Sequence, residues 1–511
     1  VLGPGSITID DVTCGNGNGV IDVDECVFLM IPVGNTGLAP ATGVTSTLAP
    51  VTLDVAVQHG SSPYPDIPVA GNGTNVLPFE VQTGTFFQAG TPIDLELAIT
   101  SSSGSWTLPI VLPTGAPSGT GSSFTATGPV AIPDANPAGV ALPFDVFVPS
   151  AIEKVVVQLR APHTWVGDLT LTLVGPDGTT VILASANGGA GDNFGADCPA
   201  SGNDTVFDDA SATPLHAGFP PYLGTFRPIE PLSAFNGKRG AEVNGTWLLR
   251  AVDSFPGDTG TLDCATLVIN GYAVTSGNCS DIIHKDSYEF GFYRWPVVQN
   301  DGDLAASAQS AMHGNWGMQT IVNDQNSLYT ETRDVAGKGG AGAGTRHPYD
   351  ENRTRVRFRF NPNDYDPGMA LGRFRVRIML ALDMTPATRR QIVIVLRRNA
   401  SGYALRARVA NDSGVRTDTP FVPITVGPHE IEFDWVRSSG PGANDGTFQF
   451  TVDGTPAVPL AGLDTDEHGI DAMRIGAMSV KPGAGGTMFF DDFEARRQLP
   501  PSRPAALTKR R

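Results

Sequence analysis

Apolar and polar residues alternate along most of this chain with a period of two rather than 3.6, which predicts strands and not helices. Ser6-Ile-Thr-Ile-Asp10, Ile93-Asp-Leu-Glu-Leu-Ala-Ile-Thr100, Val155-Val-Val-Gln-Leu159, Leu169-Thr-Leu-Thr-Leu173 and Trp247-Leu-Leu-Arg-Ala-Val252 each offer one face to a core and one to water. Val27-Phe-Leu-Met-Ile-Pro-Val33 is apolar throughout and predicts a buried strand, while Glu80 and Glu96 fall on outward positions of theirs. Elsewhere the polar face is arginine. Arg353, Arg355, Arg357 and Arg359 alternate with Val356, Phe358 and Phe360, Arg373, Arg375 and Arg377 alternate with Phe374, Val376 and Ile378, and Arg406 and Arg408 add a third row. If these strands are neighbours, their guanidinium groups form a basic plate that repels itself unless carboxylates or an anionic ligand lie over it.

Composition sharpens the fold class. At 511 residues the chain exceeds one core, and 60 Gly and 41 Pro with only 17% charged residues describe an all-β, turn-rich protein of several sandwiches. A Gly/Ser/Thr/Pro-rich stretch at 114–129 predicts a linker, and the basic tail 499–511 has no apolar period. No apolar run is long enough for a membrane span, and Val1 follows no basic or apolar leader, so the expectation is a secreted chain whose signal has been removed. Five cysteines fit an oxidising compartment. Cys14 and Cys26 flank a short loop and are expected to pair. Of Cys198, Cys264 and Cys279 two pair and one is left over; spacing does not choose, and Cys198–Cys264 is the favoured pair.

Charge is segregated. Residues 1–150 hold no Lys or Arg and 12 Asp plus Glu, residues 151–285 hold 7 against 14, and residues 286–511 hold 27 against 26, within a net charge of −18. That balance excludes nucleic acid as the partner of the whole chain, since phosphate binding needs a net basic face. It favours contacts with other copies of the chain or with cell-surface proteins.

Residues 163–268 carry His163-Thr-Trp-Val-Gly-Asp168-Leu, Gly175-Pro-Asp-Gly-Thr179, Phe207-Asp-Asp209, Gly245-Thr-Trp-Leu248 and Gly257-Asp-Thr-Gly-Thr-Leu262 in that order. This resembles the P domain (P/Homo B) that follows the catalytic domain of proprotein-convertase-type serine proteases, and the resemblance implies a non-catalytic β-sandwich at 130–275. Where the family carries an aromatic near its last strand, Cys264 stands here, and a local disulfide replaces that packing. Asn35-Thr-Gly37, Ala41-Thr-Gly-Val-Thr-Ser-Thr-Leu48 and Tyr64-Pro-Asp-Ile67 make residues 1–116 resemble an immunoglobulin-like module found beside secreted bacterial proteases, with 117–129 as the linker. Tyr288-Glu-Phe-Gly291, His313-Gly-Asn-Trp-Gly317, Glu430-Ile-Glu-Phe-Asp-Trp435 and Gly485-Gly-Thr-Met-Phe-Phe-Asp-Asp-Phe-Glu494 make 286–498, after a linker at 276–285, resemble the concanavalin/laminin-G-like jelly roll, whose first and last strands pair. The fold expected is three tandem β-sandwiches.

A nucleophile with its base is not found: there is no GxSxG and no HExxH, and His163 with Asp168 fits the P-domain pattern as loop-orienting residues. Calcium is the expected cofactor because the candidate ligands are hard oxygens. One set is Asn16, Asn18, Asp22, Asp24 and Glu25, whose alternative is a disulfide-tied turn satisfied by Asn side chains. A second is Asp192, Asp204, Asp208 and Asp209 with Asp197, whose carboxylates repel one another without a cation or else form a solvated acidic loop. In the jelly roll, Glu289 on the first strand and Asp491 on the last form a third. The leading functional reading is a non-enzymatic protein of the bacterial cell surface that self-assembles as a filament or layer, its acidic front meeting the arginine plate of another copy. Alternatives are a carbohydrate-binding adhesin, taking an acidic polysaccharide on the plate or stacking sugars on Trp295, Trp316 or Trp435, and a non-catalytic accessory region of a serine endopeptidase.

Overall fold

The computed structural model describes residues 2–199, 201–333, 351–369, 374–384 and 387–498. They form strands joined by turns and a few single-turn helical segments, and the fold is all-β, built of multiple sandwich sheets. The chain divides into two compact units, Val1–Asp11 with Asn16–Gly277 and Val12–Gly15 with Asn278–Arg511.

Unit 1 holds two separate apolar cores. In the N-terminal one, Ile93–Ser101 obeys its alternation: Ile93, Leu95, Leu97 and Ile99 are buried and the residues between them exposed. The apolar run at 27–33 is not one strand. Cys26–Met30 and Pro32–Asn35 join different sheets, and between them the Ile31 N–H donates to Asn75 Oδ1 at 2.6 Å. Glu80 does not face outward: it is buried, 2.8 Å from His59 Nδ1 on the neighbouring strand. Glu96 is exposed as expected.

The second core of unit 1 lies between a five-stranded sheet (Pro117–Ile132, Gly260–Tyr272, Ile152–Arg160, Thr205–Phe207, Gly224–Phe226) and a four-stranded one (Val140–Val146, Gly245–Asp253, Leu169–Val174, Thr180–Ser185). Trp247 is fully buried there and donates its indole N–H to the Val243 carbonyl. The linker expected at 117–129 is instead a strand, Pro117–Ile132, laid along Gly260–Tyr272 with a bulge at Thr127/Val130 that accommodates Pro129. Its composition misleads because an edge strand needs a partner on one side only, and its side chains remain largely exposed. Cys198 and Cys264 are bonded to each other, and Cys14 and Cys26 are both disulfide-bonded.

In unit 2, the strand Ile282–Asp286 pairs with the last strand, Gly486–Arg496, so the stretch expected as a linker at 276–285 ends inside a sheet. The first sheet runs Leu304–Ser307, Gly317–Val322, Gly486–Arg496, Arg353–Asn361, His429–Val436, Gly446–Val452 and Thr455–Pro456. The second runs Val297–Gln299, Leu328–Arg333, Ala472–Met478, Arg375–Asp383, Arg389–Asn399, Gly402–Ala410 and Arg416–Asp418. Val356, Phe358, Ile431, Phe433 and Trp435 of the first sheet share one core with Val376, Ile378, Ile392, Ile394 and Leu405 of the second. Burying each of these large side chains contributes roughly 1.5–3 kcal/mol.

Candidate functional site

The arginine rows lie in different sheets, so the single plate expected from the sequence does not form. Arg353, Arg355, Arg357 and Arg359 belong to the first sheet of unit 2, Arg375 and Arg377 to the second, and Arg373 lies outside the described residues. The first row is matched internally. His429–Val436 places Glu430, Glu432 and Asp434 opposite Arg359, Arg357 and Arg355, and Gly486–Arg496 supplies Glu494 and Asp492 from the other side. Asp434 takes Arg353 at 3.0 Å and Arg355 at 2.8 Å, and Arg359 bonds Asp492 at 2.9 Å. Buried Arg357 sits 3.4 Å from Glu494.

The second sheet differs. On its face away from the core, register sets Arg375 opposite Arg397, Arg377 between Val395 and Met478, Arg406 opposite Val395, and Leu380 between Val393 and Arg474. Arg408 is opposite Val393 and Arg390 opposite Leu382. Asp418 binds Arg406 at 2.8 Å and Arg408 at 2.6 Å, and Glu331 bonds Arg474. Arg397 and Arg406 also stack on the Phe421 ring at 3.7 and 4.6 Å. Arg377 donates to the Ser479 hydroxyl at 2.8 Å. Burial first, and then Arg390, Arg416, Arg375 and Arg408, push the Arg377 guanidinium down to about 10. Burial, then Arg390, Arg408 and Arg389, depress Arg416 against the opposing pull of Asp418.

This face also carries an apolar floor. Leu380, Leu382, Val393, Val395, Ala472 and Met478 form a cluster of their own, separate from the main core. Over it lies a pocket of about 320 Å³ whose rim includes Arg377, Arg390, Arg474, Tyr329 and Ser479. Beside it Arg375, Arg408 and Lys481 line a second, smaller recess. Sequence reading missed Arg390, Arg416 and Arg474 as members of this group. A bulge between Ala381 and Leu382 breaks the alternation that would have shown Arg390, and Arg474 stands alone in an apolar strand.

Several of the oxygens expected to hold calcium accept from N–H donors. In the Asn16–Glu25 loop, Asp22 accepts from the side-chain amides of Asn16 and Asn18 at 2.8 and 2.6 Å, and Glu25 accepts from the backbone N–H of Asn16 and Asp22. Asn16 and Asn18 keep their own oxygens on the N–H of Asn18 and Val20, which fixes both amide orientations. Asp24, buried with a positive φ of 50°, completes the turn.

The second expected set is dispersed. Asp208 binds Lys154 at 2.7 Å, Asp209 takes the N–H of Leu232 and Ser233, Asp197 accepts from Asn203, buried Asp204 has an oxygen with no hydrogen-bond partner, and Asp192 is exposed. Glu289 follows the first strand rather than lying in it, and accepts from the N–H of Asn315 and Trp316. Asp491 takes the N–H of Met312 and His313, so both carboxylates hold one loop.

His163 is buried with Nε2 3.4 Å from Asp253, and its Nδ1 lies 2.9 Å from the Trp165 carbonyl, in keeping with a loop-orienting role. Of the tryptophans considered as sugar platforms, Trp435 is in the core and Trp295 is buried and stacked on Tyr288, leaving Trp316 exposed. Among the described residues no helix is long and apolar enough to cross a membrane.

Comparison with known proteins is consistent with part of this. The family model of the proprotein convertase P-domain matches residues 152–213, inside the second sandwich. No curated protein matches the chain. Among solved structures, an endo-β-1,4-glucuronan lyase from the fungus Trichoderma reesei is similar at 14% identity and a TM-score of 0.31, over 42% of this chain and 95% of that one. An alginate lyase from Pseudomonas aeruginosa is similar at 13% identity and a TM-score of 0.26, over 40% of this chain and 88% of that one. The ligand-binding domain of botulinum neurotoxin serotype D, solved with N-acetylneuraminic acid, is similar at 8% identity and a TM-score of 0.26, over 39% and 42%. At these scores nothing about function follows from the three structures.

Proposed function

We propose that this chain is a secreted, non-catalytic binding protein that holds an acidic polysaccharide on the outer face of the second sheet of unit 2. The observation that carries the reading is the gathering of Arg375, Arg377, Arg408 and Lys481 round one recess and of Arg377, Arg390 and Arg474 round the pocket beside it, with Asp418 bonded to Arg408 and Glu331 to Arg474. Holding like charges together costs free energy that an anion laid over them relieves, and guanidinium forks match carboxylate and sulfate geometry. The P-domain match at 152–213 supports a non-catalytic role for the second sandwich, and the disulfides support secretion.

Binding of the full chain to immobilised polygalacturonate and alginate tests the reading. Affinity is expected to fall steeply between 50 and 300 mM salt, by the screening that applies to about 10 Å separations at 0.1 M. Arg377→Ala with Arg408→Ala is expected to weaken it by roughly 1.5–3 kcal/mol per residue, the scale of a charged hydrogen bond. The polymer is expected to keep its chain length on long incubation. Salt-independent binding, binding untouched by both substitutions, or cleavage of the polymer would each reject it. A second reading, contact with the acidic 1–150 region of another copy, draws on the 12 Asp plus Glu and absent Lys and Arg there.

A further inference from the structure

Resting on that reading, we infer that the recess between Arg375, Arg377, Arg408 and Lys481 is a subsite for one tetrahedral oxyanion, the three terminal oxygens of a sulfate or phosphate ester, so that the polysaccharide preferred is an esterified one and not one acidic by carboxylate alone. The fold brings these groups together from separate segments. Arg375–Asp383 supplies two guanidinium groups, Gly402–Ala410 supplies Arg408 from across Arg389–Asn399, and the turn after Ala472–Met478 supplies Ser479 and Lys481 from the other side. Register sets Arg377 between Val395 and Met478, and Arg408 opposite Val393. Arg375, Arg377, Arg408, Ser479 and Lys481 are each half-buried, so they line the recess and still meet water. Its volume of about 40 Å³ is room for on the order of three water molecules, which suits one compact anionic group and not a sugar ring.

Donor count decides which anion suits it. Each guanidinium carries five N–H donors and the ammonium three. Arg377 donates to Ser479 Oγ at 2.8 Å, so that hydroxyl accepts from the arginine and has its own O–H to give. Ser479 is held at a φ of 58°, in the left-handed region, where the strand turns toward Lys481. Asp418 bonds Arg408 at 2.6 Å but divides its charge with Arg406 at 2.8 Å. A planar carboxylate brings two oxygens to such a place, whereas a phosphate ester brings three strong acceptors pointing in different directions, and a sulfate ester has the same shape. Donors that arrive from two strands and a turn can then each find an oxygen.

Competition separates the recess from the charge of the whole face. The full chain is bound to immobilised dextran sulfate and to polygalacturonate of matched charge density, then displaced with methyl sulfate, methyl phosphate or acetate at neutral pH and constant ionic strength. Methyl sulfate and acetate carry the same single charge, so a difference between them reports shape. Dextran sulfate is expected to bind roughly tenfold more tightly than polygalacturonate, the scale of one charged hydrogen bond, and both esters to displace it more effectively than acetate. The stronger of the two esters identifies the group as sulfate or phosphate. Lys481→Ala and Ser479→Ala are expected to weaken dextran sulfate several-fold more than polygalacturonate, while Arg416→Ala, on the same face but outside the recess, weakens both alike. Matching thermal unfolding of each variant excludes misfolding as the cause. The subsite is overturned, with the polysaccharide reading intact, if the two polymers bind equally, if acetate displaces as well as the esters, or if Lys481→Ala weakens both polymers alike. If neither polymer binds, the reading and the subsite fall together.

Discussion

Asp491 shows what one buried carboxylate does to stability. Burial, then the neighbouring Asp492, push its carboxyl up to about 8 despite the N–H groups of His313, Met312 and Asp492 that favour the ion. In the unfolded chain the same group ionises near 4. Between those two values the folded state holds a proton that the unfolded state has lost, so stability falls as pH rises, by about 1.4 kcal/mol per unit at most, and the contribution is fully present only below pH 4. Asp491→Asn is therefore expected to flatten the pH dependence of unit 2 between pH 4 and 8 and to be increasingly more stable than the parent toward pH 8, as read by urea unfolding. A calcium ion at Asp491 would hold it ionised and remove the slope, so repeating the parent series with excess calcium tests that expectation directly. An unchanged slope in the variant would show that Asp491 is not the titrating group.

At the scale of elements, what the sequence made legible was the face of each strand. The alternation in Ile93–Ser101, Leu169–Val174 and Gly245–Asp253 placed core and solvent sides correctly, because a half-buried strand writes its burial with period two. Sheet membership was not legible. Arg353–Asn361 and Arg375–Asp383 read alike, yet they lie in opposite sheets, because nothing local records which strand a strand pairs with. The candidate site was half visible for the same reason: Arg375, Arg377 and Arg408 declared themselves by alternation, while the apolar floor looked like core and Arg390 hid behind a bulge. The Gly, Ser and Thr of 117–129 predict a linker, although the strand Pro117–Ile132 pairs across its ladder with the strand that carries Cys264. That disulfide closes a separation of 66 residues in the second sandwich. Replacing both Cys198 and Cys264 by Ala is expected to lower the stability of unit 1 by about 4 kcal/mol on a loop-closure basis, measured by denaturant unfolding, and a loss below about 1 kcal/mol would mean that the open loop stays structured.

Over the whole molecule, the acidic charge of residues 1–150 and the arginine face of unit 2 are of opposite sign, and that alone predicts attraction between copies whose strength depends on salt. The range of that attraction is set by screening, about 8 Å at physiological ionic strength and about 30 Å at 0.01 M. Polygalacturonate carries a carboxylate on every residue and presents it on a flexible polymer, so it competes for the same arginines with a higher local density of charge. Sedimentation velocity is expected to show a single species at 150 mM salt, slow association at 10 mM, and its reversal by Arg377→Ala with Arg408→Ala or by a small excess of polygalacturonate. Reversal by both makes self-contact a weaker use of the polysaccharide face. Association that persists at 150 mM salt and survives both treatments would place assembly on another surface and exclude both head-to-tail contact through the second-sheet arginines and competition by the polymer.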